Sequence, residues 1–418
     1  MNPERIIAGL DIGSAKTTVV IAEAIGDRKS TPSLRILGVG QAWTTGLRKG
    51  VVSDIEETTR SIKKAVEDAE RMAGTKIDTI YAGIAGEHVR AMISKGIVAV
   101  NGDEISKADV DRANDVARAQ QVPQDRELLH AIPQEYSVDK NQGIRDPIGM
   151  IGTRLETEMY LVTIGASPAM NLRKSVEKAG YRVRELVLEP LASALSVLTE
   201  DEKELGVALV EMGAGTTDIA VFHEGKIRYL GTVNYGGNNV TSDIVQGMGV
   251  TQADAERLKE RYGCAYEPLV NPTDVIQLPS TVAQGERHIP REVLAHIIHQ
   301  RMDEIFNLVL NEIQRAGFAT RLNGGVVISG GAAAMEGVAE LAADVFGTGV
   351  RIGSPSENIG GLSDSVDAPR FATVVGLALY GAHRAAAGFS PTSKHRALAG
   401  VGVDKFTKRL KIWLEDFF

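Results

Sequence analysis

A short run near the N-terminus has the residue types of a phosphate and metal site. Residues 11–17 have the sequence DIGSAKT and follow an apolar run at 5–10. A glycine turn between two strands directs successive backbone N–H groups into a concavity that suits phosphate oxygens. The candidate phosphate-binding residues are Gly13, Ser14, Ala15 and Lys16. Asp11 could hold Mg²⁺ through bound water, because this ion keeps several waters and takes one or two carboxylates. The alternative for this loop alone is an ordinary hairpin turn capped by Asp11.

The same arrangement recurs in the second half of the chain. Residues 211–218 have the sequence EMGAGTTD and again lie between two apolar runs, 205–210 and 219–223. The phosphate-binding candidates of this second loop are Gly213, Gly215, Thr216 and Thr217. Two copies of one strand–turn–strand pattern indicate an internal duplication and make two unrelated turns the weaker interpretation. A third glycine pair, Gly330 and Gly331, follows a later apolar run and could let an adenine or ribose approach the backbone.

Helical and strand-like periodicities surround these loops. Residues 54–73 have apolar residues at helical spacing and are followed by Gly74, a helix stop signal. Residues 86–162 change character, with strand-like runs around a charged helical stretch at 106–121, which predicts an inserted subdomain. Further helices are predicted at 167–180, 252–261, 291–316 and 371–381, and further strands at 77–84 and 325–329. The glycine loops are thus predicted to lie at the ends of strands.

Composition limits the classes of function. The chain has 418 residues, which predicts two or more domains. Its net charge of -8 argues against nucleic acid as a partner. Cys264 is the one cysteine of the sequence, so an internal disulfide or a cysteine zinc site is excluded. Because the sequence has no secretory signal and no apolar run of about 20 residues, we expect the body to be soluble and to stay inside the cell.

The C-terminal segment, residues 404–418, has an apolar stripe at helical spacing. The stripe consists of Phe406, Leu410, Trp413, Leu414 and Phe417. Basic residues flank it, and the segment is too short to span a bilayer, so the pattern suits an amphipathic helix that lies in the membrane interface. A stretch rich in small and basic residues at 385–403 precedes it and predicts a flexible linker. The alternative is a helix that docks on the protein's own body or in a groove of a partner.

The order of these motifs resembles the superfamily of actin, the heat-shock chaperone ATPases and the sugar kinases. The matching segments are 11–17 and 211–218 for the phosphate patterns, 327–332 for the adenosine pattern, 188–194 and 373–380 for the two connecting helices, and 255–259 for the helix that touches adenine and ribose. Within the superfamily, the sequence EPLAS at 189–193, the insertion and the amphipathic tail resemble the FtsA family of bacterial actin-like cell-division proteins.

The resemblance implies an α/β, actin-like fold, a ribonuclease H-like duplicated architecture with two lobes, an inserted subdomain and a C-terminal amphipathic helix. The implied divisions are the core of lobe one (subdomain 1A) at 1–85, 163–205 and 367–384, the inserted subdomain 1C at 86–162, the core of lobe two (2A) at 206–231 and 311–366, the upper subdomain 2B at 232–310, the linker at 385–403 and the membrane-targeting helix at 404–418.

The resemblance also implies roles for three acidic residues. Asp11 would be the metal-side acid, and Glu189 would orient the water that attacks ATP. The family's second phosphate pattern usually opens with Asp, whereas this chain has Glu211, whose carboxylate reaches about 1.5 Å farther from the backbone. Glu211 is therefore a tentative catalytic residue, and we expect tight ATP binding with at most weak ATPase activity. Further implied nucleotide contacts are Gly236, Gly237, Asn238, Glu256, Lys259, Gly330, Gly331 and Ala332.

By the same resemblance, ATP and Mg²⁺ are the expected ligands, and the protein is expected to form filaments with itself. These filaments would lie on the cytoplasmic side of the cell membrane at the division septum, tether FtsZ filaments and help to recruit later division proteins. Subdomain 2B would receive the C-terminal tail of FtsZ, with Arg291 and Arg301 as tentative contacts. The alternatives with this fold are a pilus or secretion assembly ATPase-like protein, a small-metabolite kinase and a chaperone-like ATPase. A kinase has no use for a membrane tail, and such a chaperone carries a β-rich peptide-binding domain.

Overall fold

The computed structural model of the protein describes residues 5–26, 32–278, 287–355 and 358–386. Its strands are β1 Ile6–Ile12, β2 Lys16–Ile25, β3 Ser33–Trp43, β4 Leu47–Arg48, β5 Val51–Val52, β6 Thr79–Ile84, β7 Arg90–Ala99, β8 Arg126–Val138, β9 Asn141–Ile144, β10 Arg154–Gly165, β11 Arg182–Leu188, β12 Val207–Met212, β13 Thr217–His223, β14 Lys226–Val233, β15 Val275–Leu278, β16 Arg287–Pro290, β17 Val326–Ser329, β18 Val350–Ile352 and β19 Ile359–Gly361. Its α-helices are α1 Ile55–Ala73, α2 Lys107–Arg118, α3 Ala166–Lys178, α4 Glu189–Val197, α5 Glu200–Leu205, α6 Gly237–Met248, α7 Gln252–Tyr262, α8 Arg291–Arg315, α9 Val338–Phe346 and α10 Ala372–Ala386. Among these helices, none is long and apolar enough to cross a membrane.

The first sheet, in lobe one, has the strand order β11-β6-β1-β2-β3-β19. β1 and β2 form an antiparallel hairpin in which Asp11 lies opposite Thr18. β6 runs parallel to β1, and β11 runs parallel to β6. Side chains of a strand alternate between the two faces, so Leu10 packs toward α1 and α3 while Ile7 packs toward α10. Both faces of this sheet are therefore covered by helices, and Asp11 lies near the end of its central strand.

The second sheet repeats this topology with the order β14-β13-β12-β17-β18. β12 and β13 form the corresponding antiparallel hairpin, in which Glu211 lies opposite Asp218. β17 runs parallel to β12, and β18 runs parallel to β17, as β6 and β11 do in the first sheet. One face of the second sheet packs on α6, α8 and α9. The shared topology confirms the duplicated α/β fold predicted from the two glycine loops.

Helix α1 illustrates how local sequence sets the element boundaries. Asp54 caps its N-terminus by accepting a hydrogen bond from the N–H of Glu57 at 2.9 Å. Gly74 ends it with a φ of 65°, a left-handed conformation that favours glycine. Ile62 and Val66 are buried on one face against the first sheet. The helix predicted at 54–73 is therefore confirmed, and it supports the strand that leads into the first loop.

Helices α4 and α10 cross between the two sheets. Ala192 of α4 and Val375 of α10 share the core that lies on the first sheet. Leu191 and Ala194, also on α4, pack on the opposite side against the second sheet. The two helices thus join the lobes through continuous apolar packing, and we refer to them as the crossing helices.

The inserted subdomain has its own sheet, with the order β7-β10-β8-β9, and α2 packs on β7 and β10. Its small core contains Ile105, Val110, Tyr136 and Leu155. Tyr160, on β10, instead joins the core between α4 and the second sheet. The insert is therefore a separate layer that also contacts the core between α4 and the second sheet.

Several boundaries differ from those that the sequence predicts. β19 pairs with β3 and extends the first sheet, although its residues fall within 311–366, the segment predicted for lobe two. The three residues of β19 are too few to show a strand period, so its pairing with β3 could not be predicted from the sequence. β10 runs on to Gly165 and β14 to Val233, so two predicted subdomain limits fall inside continuous strands. Helix α10 extends to Ala386, into the predicted linker. The rest of the linker and the helix predicted at 404–418 lie outside the described residues.

Candidate functional site

The two glycine loops have the same internal geometry and face each other. The N–H of Gly13 donates to the carbonyl oxygen of Lys16 at 3.1 Å, and the N–H of Gly213 donates to that of Thr216 at 2.9 Å. A Cβ placed on Gly215 would lie 2.8 Å from Oγ of Ser14, so the second loop abuts the first. The structure therefore brings the two predicted phosphate loops together at one cleft between the lobes.

The N-terminus of α6 closes over the second loop. The N–H groups of Gly237 and Asn238 donate to the carbonyl oxygens of Gly213 and Ala214, at 3.0 and 2.8 Å. A Cβ on Gly236 would lie 2.6 Å from the carbonyl oxygen of Gly213, so this close approach requires glycine. The positive end of the α6 dipole consequently lies at the cleft, which favours anionic groups there.

The predicted adenosine-side residues meet beside this helix end. Nζ of Lys259 lies 2.8 Å from Glu256, 2.8 Å from Oγ1 of Thr241 and 3.1 Å from the carbonyl oxygen of Gly237. A Cβ on Gly237 would lie 3.5 Å from Nζ of Lys259 and 3.8 Å from Cβ of Ala332. Residues that are far apart in the sequence thus line one end of the cleft.

Gly330 and Gly331 lie at the end of β17, next to the second loop. Gly330 has a φ of 89°, and its N–H donates to the carbonyl oxygen of Pro369 at 3.1 Å. A Cβ on Gly330 would lie 2.4 Å from the carbonyl oxygen of Met212, whereas one on Gly331 would meet nothing within 4 Å. Gly330 therefore serves the packing of the loop, and Gly331 leaves open space beside it.

Four acidic side chains influence one another at the base of the cleft. Burial raises the pKa of Asp11 to about 7, that of Glu211 to about 8 and that of Asp218 to about 6. Burial, followed by the charges of Asp11, Glu211 and Asp218, holds the pKa of Glu189 well above its usual range. Buried carboxyl groups close to one another are costly to ionise, and a nearby cation offsets that cost.

This acidic cluster fits a hydrated Mg²⁺ better than a directly ligated metal. Among the described residues, no group of three or more His, Cys, Asp and Glu side chains is arranged to hold a metal ion. Mg²⁺ keeps several of its waters and needs only one or two carboxylates. Asp11, at the end of β1 beside the first loop, has the position for such a water-mediated contact.

Glu189 is the first residue of α4, directly after β11. A Cβ on Gly83 would lie 2.9 Å from Oε1 of Glu189, so the carboxyl group lies over the end of β6. Because β6 is the neighbour of β1, Glu189 and Asp11 lie at the same edge of the first sheet. This is the edge at which the phosphate loops meet.

Glu211 makes contacts that the sequence did not suggest. Its side chain accepts hydrogen bonds from Ser193 of α4, at 2.9 Å, and from Thr373 of α10. Only 8% of Glu211 is exposed. Both carboxyl oxygens of Glu211 are therefore engaged by the crossing helices, which argues against its tentative role as a catalytic acid.

Two threonines of the second loop differ in orientation. Thr216 donates to Asp218 at 3.1 Å, beside the cleft. Thr217 is fully buried, and its hydroxyl donates to the carbonyl oxygen of Tyr235 at 2.9 Å. Thr217 thus connects the start of β13 to the segment between β14 and α6, which differs from its predicted role as a side-chain contact of the nucleotide.

Sequence reasoning missed two residues of this site. Asp218 accepts hydrogen bonds from Thr216 and, at 2.6 Å, from Thr232, and its position at the end of the second loop was the available signal. Trp43 is 66% exposed, and its ring centroid lies 4.9 Å from Nζ of Lys16. No pattern in the sequence links Trp43 to Lys16, because the contact depends on the pairing of β2 with β3.

The predicted partner contacts lie on α8, away from the loops, and both are paired within the chain. Arg291 forms ion pairs with Asp274 and Glu336. Arg301 contacts Asp243 and Glu304. An acidic partner would have to compete with these carboxylates. The predicted membrane residues Phe406, Leu410, Trp413, Leu414 and Phe417 lie outside the described residues.

Comparisons with known proteins agree with this architecture. The profile of a family described as cell division protein FtsA matches residues 208–376, and that of the SHS2 domain inserted in FtsA matches residues 86–163, the predicted insert. Over 415 residues, covering 99% of this chain and 98% of the relative, the sequence is 41% identical to cell division protein FtsA of Pseudomonas aeruginosa.

Solved structures share the fold at low sequence identity. A PilM-PilN type IV pilus biogenesis complex matches with a TM-score of 0.63 and 16% identity, over 90% of this chain and 98% of that one. MreB5 of Spiroplasma citri, bound to ADP, matches with a TM-score of 0.52 and 15% identity, over 85% of this chain and 94% of that one. At these identities the likeness supports the actin-like fold and nothing finer.

Proposed function

The chain belongs to the FtsA family of cell division proteins, and we propose that it is an ATP-binding, actin-like scaffold that polymerises on the cytoplasmic membrane. In this role it ties FtsZ filaments to the inner face of the membrane at the division septum. It also helps to recruit later division proteins.

The observation that carries this proposal is the pair of matched loops at one cleft. The turns at Gly13 and Gly213 have the same hydrogen bond, and Gly215 abuts Ser14 across the cleft. A triphosphate has enough oxygens for both loops to bind it from opposite sides. Bound ATP would therefore hold the two lobes together, which gives the protein a nucleotide-dependent shape that a polymer can use.

Different residues of the cleft contact different parts of the nucleotide. The first loop binds phosphate oxygens through backbone N–H groups and Lys16, and the second through Gly215 and Thr216. Glu256 and Lys259 contact the adenosine part. Mg²⁺, when bound, supplies the positive charge that offsets the phosphates and the acidic cluster, and Asp11 holds it through water. The solved relative MreB5 carries ADP in this fold.

Turnover is expected to be weak. Attack of water on the γ-phosphate depends on the placement of a few groups, and small displacements are expensive. Glu211 is held by Ser193 and Thr373, so it is not free to adjust to a metal and its water shell. Purified protein without a partner should therefore release phosphate slowly, and rapid steady-state release would contradict this expectation.

Membrane attachment is assigned to the stripe in residues 404–418. Burying a large apolar side chain is worth roughly 1.5–3 kcal/mol at full depth and less at half depth. One copy should consequently bind weakly, with help from anionic lipid near its basic residues. A filament presents many copies, and this multivalency converts weak contacts into stable attachment.

The FtsZ contact is assigned to subdomain 2B. Arg291 and Arg301 remain the proposed basic residues for the acidic C-terminal tail of FtsZ, which would exchange with their present partners. Replacement of the two by Ala should weaken binding of an FtsZ tail peptide and reduce its salt dependence.

The decisive experiment is electron microscopy of the protein on lipid monolayers with ATP and Mg²⁺. We expect filaments on monolayers that contain anionic lipid for the full chain, and none for a chain that ends at residue 403. A full-length variant with Leu410→Glu and Leu414→Glu is the matched control, because it keeps the length and places two charges within the apolar stripe. It should behave as the truncated chain does.

Two outcomes would redirect the assignment. Unchanged liposome co-sedimentation after removal of the tail would contradict the membrane role and favour the pilus or secretion assembly class. Coupled formation of a phosphorylated product from a sugar or small acid would favour the small-metabolite kinase.

A further inference from the structure

Glu211 occupies the position that corresponds to Asp11 in the duplicated fold, but its surroundings are different. Both residues lie near the ends of equivalent strands, opposite Thr18 in the first hairpin and Asp218 in the second. Glu211 reaches past the loop to two hydroxyl groups, Ser193 at 2.9 Å and Thr373. Ser193 belongs to α4 and Thr373 to α10, so one side chain contacts both crossing helices.

The three side chains form a closed and buried network. Oγ of Ser193 lies 3.1 Å from Oγ1 of Thr373, so the two hydroxyls also contact each other. Ser193 is fully buried, and Thr373 and Glu211 are nearly so. A hydrogen bond is stronger in the low dielectric of the protein interior than in water, and an incomplete buried network is costly. The network therefore resists separation of the loop from either helix.

The length of the side chain explains why this contact needs Glu. An Asp at the same backbone position would end about 1.5 Å short, and it could not reach hydroxyls on both helices without moving the strand. The residue that departs from the usual family pattern is thus the residue that spans from the second loop to the crossing helices. A catalytic acid would instead need its oxygens free for water or metal.

We propose that Glu211 is a positioning residue that fastens the second phosphate loop to both crossing helices, so that nucleotide binding in the cleft changes the packing of α4 on α10. Ligand contacts that draw the second loop toward the first pull β12, and Glu211 transmits that displacement to Ser193 and Thr373 together. The crossing helices join the two lobes, so the bound state of the cleft sets how the lobes are held. This inference rests on the proposed ATP binding.

Four variants separate this role from that of a metal-side acid. Glu211→Gln keeps an acceptor and adds a donor, so both hydroxyls retain a partner while the ionisable carboxyl group is lost. Glu211→Ala removes both contacts. The double variant Ser193→Ala with Thr373→Val leaves Glu211 in place and removes the hydroxyls. Ser196→Ala is the matched control, because Ser196 is a buried serine of α4 that bonds to the backbone of Ser193 and Ala372 and not to Glu211.

The measurement is amide hydrogen exchange of α4 and α10, by mass spectrometry, with and without ATP and Mg²⁺. In the unaltered chain and in the Ser196 control, ATP should slow exchange in both helices. Glu211→Gln should keep this slowing within about twofold, since its two hydrogen bonds persist. Glu211→Ala and the double variant should lose it, while their ATP affinity falls by no more than about tenfold, the value of one or two hydrogen bonds.

The outcomes are distinguishable. Full ATP-dependent slowing in the double variant would overturn the inference and leave the proposed ATP binding intact. A Glu211→Gln variant that loses ATP affinity as strongly as Glu211→Ala would also overturn it, because the carboxyl group would then act directly on the nucleotide or metal. Absence of ATP binding by the unaltered chain would refute the proposed function itself. If Glu211→Ala fails to fold, the Glu211→Gln variant, which keeps the two hydrogen bonds, is compared with the double variant, which loses them.

Discussion

His130 is a buried polar residue, outside the proposed nucleotide cleft, that supports the start of α4. Its Nε2 accepts a hydrogen bond from the N–H of Leu188 at 3.1 Å, directly before α4 begins. Its ring lies beside that of Tyr380, on α10. Burial, and then the charge of Arg384, lowers the pKa of His130 to about 3. The neutral ring is therefore the form that supports the start of the first crossing helix.

The stability of the protein should depend on pH through this residue. Between pH 6.5, where a free imidazole titrates, and about pH 3, the unfolded chain binds the proton and the folded chain does not, so stability falls as pH falls. The unfolding free energy of the unaltered chain should fall between about pH 7 and about pH 5.5. In His130→Gln we expect this fall to be smaller by about 1 kcal/mol. Urea unfolding of both proteins, followed by circular dichroism, measures this difference.

The comparison contains its own control. Burial also lowers the pKa of His383, to about 4, and this residue is present in both proteins, so its contribution cancels. Above pH 7.5 or so, the folded and unfolded chains both hold a neutral imidazole, and the two stability curves should run parallel. Equal pH slopes below pH 6.5 would contradict the assignment to His130.

At the residue scale, the sequence predicts which loops carry chemistry but not where each hydroxyl or carboxyl points. Gly13 and Gly213 were identifiable because glycine between two strand-like runs marks a tight turn. Thr216 and Thr217 are adjacent in the sequence and both are buried, but Thr216 lies in the turn and donates to Asp218, whereas Thr217 begins β13 and donates to the carbonyl oxygen of Tyr235. The contacts of Glu211 depend on helices that are distant in the sequence, so no local pattern reveals them.

At the scale of elements, the crossing of α4 and α10 depends on one small residue. A Cβ on Gly376 would lie 1.9 Å from the carbonyl oxygen of Ala192, so the helices touch backbone to backbone there. We expect Gly376→Ala to destabilise the protein by about 1–3 kcal/mol through overpacking, against a gain of about 1 kcal/mol in helix propensity. Thermal unfolding followed by calorimetry tests this.

A second helical glycine provides the matched substitution. Gly247 lies in α6, and a Cβ there would meet mainly the end of the Ile297 side chain, which can rotate away. Gly247→Ala should therefore not destabilise the protein, because the gain of about 1 kcal/mol in helix propensity is opposed only by the movement of one side-chain end. If both variants unfolded at the same temperature, the close helix contact would not be what Gly376 provides.

Elements with a clear period were predictable, and those that depend on pairing were not. The helix at 54–73 and the predicted strand at 325–329 were recognisable from apolar spacing and flanking glycines. β3 alternates between buried and more exposed positions, but two of its buried positions are Gly38 and Gly40, so its sequence lacks a clear apolar period and the strand depends on its pairing with β2. β19 is too short to show any period and exists because it pairs with β3.

At the scale of the whole molecule, the duplication places two equivalent loops on two lobes, and in the proposed function both loops bind one ligand. Each hairpin is rigid, because its strands are central in a sheet covered by helices. If ATP binds both loops as proposed, we expect the lobes to respond to it as units, starting at the contact between the loops. Gly215 of the second loop lies beside Ser14 of the first loop and the backbone of Lys49.

A side chain at this contact should separate nucleotide binding from folding. In Gly215→Val, the added Cβ would lie 2.8 Å from Oγ and 3.2 Å from Cβ of Ser14, so the loops must move apart. A ligand at a hundred times its dissociation constant stabilises a protein by about 2.7 kcal/mol. We expect ATP and Mg²⁺ to raise the unfolding temperature of the unaltered chain and of Gly349→Ala, where a Cβ would meet nothing within 4 Å. The Gly215 variant should unfold near the ligand-free temperature with or without ATP. A full ATP-dependent rise in that variant would mean that the ligand does not bridge the two loops.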